Sequence, residues 1–202
     1  MAARGLVHGP LGPNCLHVCV DMQAIFLPGM PWGNAWMERV LPLVEELAGR
    51  HAGRTLFTRF IPAADPEAAR GTWRRYYRKW EALTLRCIEP ECLDLVPALA
   101  RFVPPAAVLD KHVYSPWTEG RLDAFLGSGG IDTLIVSGGE TDVCVLATVL
   151  GAIDRGFRVV VAADAVCGSA DATHDAVMTL YASRFSEQME MASTQEILAD
   201  WR

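Results

Sequence analysis

No stretch of this sequence approaches the roughly 20 uninterrupted apolar residues that a membrane-spanning helix needs. The opening run Met-Ala-Ala-Arg-Gly-Leu-Val-His-Gly-Pro also lacks an apolar segment of the length of a secretory signal. The expectation is a soluble, cytoplasmic chain that does not engage a membrane. Positive charge is scarce as well: 18 Lys and Arg stand against 24 Asp and Glu, for a formal charge of −6. Proteins bind nucleic acid largely by neutralising phosphates with Lys and Arg, so no nucleic-acid partner is expected and a small-molecule substrate is the better default. The six cysteines, at 15, 19, 87, 92, 144 and 167, lack the density and regular spacing of a disulfide scaffold and read as reduced thiols. No histidine occurs from 52 to 111, and there is no internal repeat, low-complexity tract or linker.

What is present is enough apolar material for one substantial core. At 202 residues, 51% of them hydrophobic, the chain reads as a single domain over 1–202. Cys15-Leu-His-Val-Cys-Val20 predicts a strand, followed by a Pro/Gly-rich loop from Leu27 to Gly33. Asn34 is positioned to cap a helix running to about Arg50, with Trp36, Val40, Leu41, Val44 and Leu47 at helical spacing. Further strands are predicted at 54–58, 107–110, 133–137 and 157–163. Helices are predicted at 93–102, 119–126, 143–155, 171–184 and 194–201, the last with Thr194 as its cap. Strands alternating with helices through short loops indicate a doubly wound α/β domain with a parallel sheet covered on both faces. The segment 59–90 is the least regular. Within it, Trp73, Tyr76, Tyr77 and Trp80 line one helical face and Arg74, Arg75, Arg78 and Lys79 the other.

In an open parallel sheet, ligands are met just past the carboxyl ends of the strands. Three predicted strand ends carry reactive side chains: Asp21, Lys111, and the run Ser137-Gly-Gly-Glu-Thr-Asp-Val-Cys144 at a helix start. A thiol in the first turn of a helix has unpaired N–H groups and a positive dipole end beside it, so the pKa of Cys144 is expected to fall. Gly138 and Gly139 permit an unusual backbone that brings the N–H groups of Glu140 and Cys144 toward a developing oxyanion. Asp21 is placed to take the thiol proton and return it to a leaving amine. Lys111 supplies a positive charge that holds both thiolate and carboxylate.

Three segments, Val20-Asp-Met-Gln-Ala-Ile-Phe26, Asp110-Lys-His-Val-Tyr-Ser115 and Gly138-Gly-Glu-Thr-Asp-Val-Cys-Val145, give the chain a resemblance. It resembles the isochorismatase-like cysteine hydrolases, which include nicotinamidases and N-carbamoylsarcosine amidohydrolases. The resemblance implies a three-layer α/β/α fold with a six-stranded, mainly parallel sheet. It also implies a catalytic triad of Asp21, Lys111 and Cys144, an acyl-enzyme on the cysteine, a cis peptide at Gly139-Glu140, and a homo-dimer or homo-tetramer. Two departures narrow it. Metal-binding members carry Asp-x-His after the second strand, where this chain reads Thr58-Arg-Phe-Ile-Pro62, so no metal or other cofactor is expected. True isochorismatases lack a cysteine at the position of Cys144, which points to hydrolysis of a C–N bond in an amide, ureido or carbamoyl compound. A vinyl-ether hydrolase using Asp21 and an inactive binding protein of the same fold remain the alternatives.

Other residues carry weaker signals. Phe26 follows Asp21 at a distance suited to lining a substrate pocket, and Arg59 is a candidate for pairing with a substrate carboxylate. Trp73 and Tyr77 are candidates for a lid formed by 59–90, with core packing or a subunit contact as the alternative. Cys15, His17 and Cys19 share a strand face, but three ligands in a line without a convergent fourth make a poor metal site. His112 reads as a packed strand-end histidine.

Overall fold

Alternation along the first strand sets up the two apolar layers. β1 (Cys15–Val20) directs Cys15 and Cys19 into one layer and Leu16, Val18 and Val20 into the other, as a side-chain period of two requires. The computed structural model describes residues 6–127 and 129–202. The first five positions of the N-terminal run read for a leader lie outside the described residues.

Around β1 the strands are β2 (Thr55–Phe60), β3 (Ala107–Lys111), β4 (Thr133–Gly139), β5 (Arg158–Cys167) and β6 (Met189–Ala192). They form one sheet in the order β3-β2-β1-β4-β5-β6, every pair parallel. Helices α1 (Met37–Arg50), α3 (Pro97–Ala100) and α7 (Thr194–Asp200) bury Val44, Leu47, Leu99 and Ile197 against one face. On the other face, α4 (Arg121–Leu126), α5 (Leu146–Asp154) and α6 (Asp171–Arg184) bury Leu122, Val149, Val177 and Tyr181. A short helix, α2 (Thr72–Lys79), lies in the irregular segment. The strand order reverses between β1 and β4, and this switch point is where doubly wound sheets open a crevice for a ligand.

Several elements differ from the sequence expectation. The helix expected over 93–102 shrinks to Pro97–Ala100, because the chain before it is extended. Leu95 bridges Gln23 in antiparallel fashion, Val96 N donates to Met22 O at 3.0 Å, and a residue before proline disfavours helix. α1 starts at Met37. Asn34 caps the turn before it, accepting from Trp36 N at 2.9 Å, and also donates to Cys167 Sγ at 3.3 Å. Ser193, not Thr194, caps α7, in a reciprocal box with Glu196. β6 carries no strand signature of its own, since Met-Glu-Met-Ala has no β-branched residue. Pairing of Val159 with Met189 and Val161 with Met191 makes it a strand.

Among the described residues no helix is long and apolar enough to cross a membrane.

Candidate active site

Asp21 immediately follows β1, and it is the one non-glycine residue with positive φ (50°) among the described residues. Short polar side chains tolerate this left-handed conformation best. Its backbone and side chain are both tied to the neighbouring strand. Asp21 N donates to Thr58 O and Thr58 Oγ1, each at 3.2 Å, and the Thr58 hydroxyl donates to Asp21 Oδ1 at 2.6 Å. Gln23, two residues on, is fully buried. Its side-chain oxygen accepts from Phe60 N at 2.6 Å and its nitrogen donates to Leu93 O at 2.7 Å, which locks the segment after β1 to the end of β2.

Lys111 ends β3, two strands from β1, and its long side chain spans the gap. The ammonium passes 5.1 Å from the centre of the Phe60 ring on β2, a cation–π contact. It forms an ion pair with Asp21 and donates to Val113 O and Cys144 Sγ. Nζ lies 2.6 Å from Asp21 Oδ2, 3.3 Å from Val113 O and 3.4 Å from Cys144 Sγ. The Lys111 and Asp21 side chains are each only 1% exposed, so each depends on the other for charge compensation. Burial alone would lower Lys111, but Asp21 and Cys144 outweigh it and raise its pKa, so the ammonium is retained.

Cys144 reaches the same point from β4. Gly138 has φ 98°, and a Cβ there would stand 2.2 Å from Val20 O, so only glycine lets β4 pass β1 at this level. The Gly139–Glu140 peptide is cis. A π-helical turn, Thr141–Val145, follows and leads into α5, with Cys144 inside it and buried. Such wide turns recur at functional sites. The expectation of a lowered thiol pKa does not hold. Burial is the largest influence and pushes Cys144 up, Asp21 pushes the same way, and the opposing pull of Lys111 is smaller. The helix start does not compensate for removal from water.

Above the sulfur lies a cavity of about 320 Å³, lined by Phe26, Trp32, Phe60, Tyr76, Trp80 and Tyr114 together with Gly139, Glu140, Val143, Cys144 and Ser169. The structure therefore brings Asp21, Lys111 and Cys144 into contact and places Phe26 and Glu140 on the wall of the same cavity. Arg59 is elsewhere. Its guanidinium grips Asp110 through two bonds of 2.8 and 3.0 Å and Asp94 at 3.1 Å. Thr58 and Phe60 turn toward the site, and alternation sends Arg59 between them to its strand neighbour Asp110.

Trp73 and Tyr77 are also displaced from the cavity. Tyr77, on α2, is buried, and Trp73 packs on Tyr114 at 4.8 Å and borders an adjoining outer groove that shares Tyr76 and Tyr114 with the cavity. Tyr76 and Trp80, from the same aromatic stripe, take the inner positions. Of the basic residues opposite, Arg74 and Arg78 pair with Glu67.

Sequence reasoning missed Thr58, Gln23, Trp32 and Phe60. The usable signal was position for three of them: Gln23, Thr58 and Phe60 sit at or just past the carboxyl end of β1 or β2, whereas Trp32 lies in the Pro/Gly-rich loop and has no such signal. Both ring nitrogens of His17 are occupied by protein partners, Thr55 Oγ1 at 3.2 Å and Ser137 Oγ at 2.7 Å. His112 pairs with Glu119 at 2.8 Å. Among the described residues no group of three or more His, Cys, Asp or Glu side chains is close enough to hold a metal ion.

Comparison with known proteins places this geometry in context. Residues 15–193 match the family model of the isochorismatase domain. A curated relative, the N-carbamoylsarcosine amidase of Arthrobacter sp, is 30% identical over 155 residues, which is 74% of this chain and 57% of the relative. The chain thus spans little more than half the length of that protein. Among solved structures, a cysteine hydrolase from Pseudomonas syringae pv. phaseolicola 1448A superposes with a TM-score of 0.82 at 23% identity, over 99% of this chain and 100% of the other. The N-carbamoylsarcosine amidase from Thermoplasma acidophilum superposes with a TM-score of 0.71 at 20% identity, over 89% of this chain and 96% of the other. At such identities the structural likeness speaks for the fold alone.

Proposed function

Because the chain belongs to the isochorismatase domain family, we propose that it is a metal-independent cysteine hydrolase that cleaves a C–N bond of a small amide, ureido or carbamoyl compound through an acyl-enzyme on Cys144. The observation that carries this reading is the position of Lys111 Nζ, 2.6 Å from Asp21 and 3.4 Å from the Cys144 sulfur at the cavity wall.

The chemistry follows from the charges. With the thiol held neutral by burial, the sulfur becomes a nucleophile only as its proton passes to the Asp21 carboxylate. The sulfur then bonds to the substrate carbonyl carbon, and the N–H groups of Glu140 and Cys144 receive the oxyanion. Collapse of that intermediate breaks the C–N bond, and the amine leaves with the proton held by Asp21. Water, deprotonated by Asp21, attacks the thioester and releases the acid, and the proton returns to the sulfur. Lys111 stays protonated throughout, orienting Asp21 and stabilising the thiolate. The 30% identical relative is named an N-carbamoylsarcosine amidase, which supports a C–N bond as the target.

A panel of carbamoyl, ureido and simple amide compounds, assayed for ammonia or amine release, tests the reading. Cys144→Ala and Cys144→Ser are expected to lose activity by about a thousandfold or more, and rapid quenching of the wild type is expected to show the acyl mass on the peptide containing Cys144. Wild-type turnover by Cys144→Ala, or release of pyruvate from a vinyl ether in place of ammonia from an amide, would overturn it.

A further inference from the structure

The cavity above Cys144 is mainly aromatic, and the Lys79 ammonium already lies 5.1 Å from the centre of the Trp80 ring. Its walls carry six aromatic rings, and the one carboxylic acid on them is Glu140, half-buried on the same wall as Ser169. None of the lining residues is Lys, Arg or His. Among the described residues no basic side chain forms an ion pair with Glu140. The ammonium of Lys111 is already engaged by Asp21. A carboxylate partly withdrawn from water with no cation beside it is an incomplete arrangement, and aromatic faces attract cations through the ring quadrupole.

We propose that the substrate carries a positively charged group of the ammonium or methylated-ammonium class, seated among Trp32, Tyr76 and Trp80 with Glu140 as its counter-charge. The Trp32 ring meets Trp80 at 68° and Tyr76 at 34°, with centroids 6.3 and 5.8 Å apart, so the wall presents ring faces in more than one direction. A substrate carboxylate in the same place would meet Glu140, the one acid on the wall, with no Lys, Arg or His among the lining residues to offset it. The chain's charge of −6 favours approach of a cation over an anion. Burial also pushes the Glu140 carboxyl above its ordinary pKa, against the opposing effect of Ser169. A bound cation would reverse that penalty. The proposal rests on the hydrolase reading for the placement of the scissile carbonyl at Cys144, but not for the placement of the cation.

Binding to Cys144→Ala, which removes turnover from the measurement, provides the test. Choline, its uncharged carbon isostere dimethylbutanol and the matching anion dimethylbutanoate are titrated by calorimetry and by the tryptophan fluorescence to which Trp32 and Trp80 contribute. Choline is expected to bind about tenfold or more tightly than the isostere, and the anion least. Glu140→Gln in the same background is expected to abolish the difference between choline and the isostere. Should that variant fail to fold, as read by circular dichroism, Trp80→Leu is expected to reduce the preference and serves instead. Equal or tighter binding of the isostere or the anion would overturn the proposal. A cation preference without any amide hydrolysis by the wild type would instead sustain the cation site and overturn the hydrolase reading.

Discussion

At the scale of single residues, the site is governed by competition between burial and charge. Cys144 lies within hydrogen-bonding distance of an ammonium, yet burial and Asp21 together hold its pKa above the ordinary thiol value. At pH 7 the protein is therefore expected to react with iodoacetamide more slowly at Cys144 than at the exposed Cys87, with the rate rising as pH rises. Mass spectrometry of the two peptides reads this directly, and faster alkylation of Cys144 would mean that the thiolate is the resting form. Lys111→Met removes the one influence that pulls the thiol down and slows the reaction further. The same change leaves Asp21 buried without its partner and is expected to destabilise the fold by about 3–5 kcal/mol in urea unfolding. The three residues themselves were legible in the sequence because Asp21 and Lys111 directly follow or end a strand rich in apolar residues and Cys144 lies in the helical turn that follows another. The state of the thiol was not, because a helix start is visible in a sequence and the depth at which it is buried is not.

At the scale of elements, β4 and the turn after it decide whether the site exists. Gly138→Ala would place a Cβ 2.2 Å from the backbone oxygen of Val20 in a conformation that side chains rarely adopt. Neither strand has a flexible side chain there to yield. The variant is expected to be recovered mainly as insoluble protein, and soluble Gly138→Ala with a wild-type melting temperature would contradict this account. The cap of α7 is a milder case. Ser193→Ala removes the side-chain acceptor for Glu196 N and is expected to cost about 1 kcal/mol of unfolding free energy. Serine and glutamate three residues apart are a signature of this box that the linear sequence already carries, and it marks Ser193 over Thr194. The shortened α3 and the strand β6 belong to another category. Leu95 is held extended by Gln23, more than seventy residues away. Met189–Ala192 is a strand because β5 has an edge free to pair with it. Local propensity does not carry either fact.

At the scale of the whole molecule, His17 couples global stability to pH. It lies on the central strand and joins Thr55 on β2 to Ser137 on β4. Burial, with a smaller effect from His51, depresses its pKa to about 3. In the unfolded chain the imidazole titrates near its ordinary value of about 6.5. As pH falls, the unfolded chain therefore takes up this proton first. Stability is lost from roughly pH 6.5 downward until the native imidazole itself titrates. Between pH 7 and pH 5 this is worth about 2 kcal/mol. Urea unfolding of the wild type and of His17→Gln at the two pH values checks it: the variant should lose that part of the slope, and an unchanged slope would assign the effect to other groups.

The sequence by itself determined the layered α/β architecture, because hydrophobic period and turn residues are local properties that survive in a linear string. It also determined which three strand ends bear a carboxylate, an ammonium and a thiol. Only the tertiary structure decided that Lys111 crosses over β2 to reach the other two, that Arg59 is tied to Asp110, and that Tyr76 and Trp80 face the cavity while Trp73 and Tyr77 do not. Each of these turns on which side chain finds a partner across the sheet. That choice is made by packing between segments far apart in the chain and leaves no periodic trace in either one.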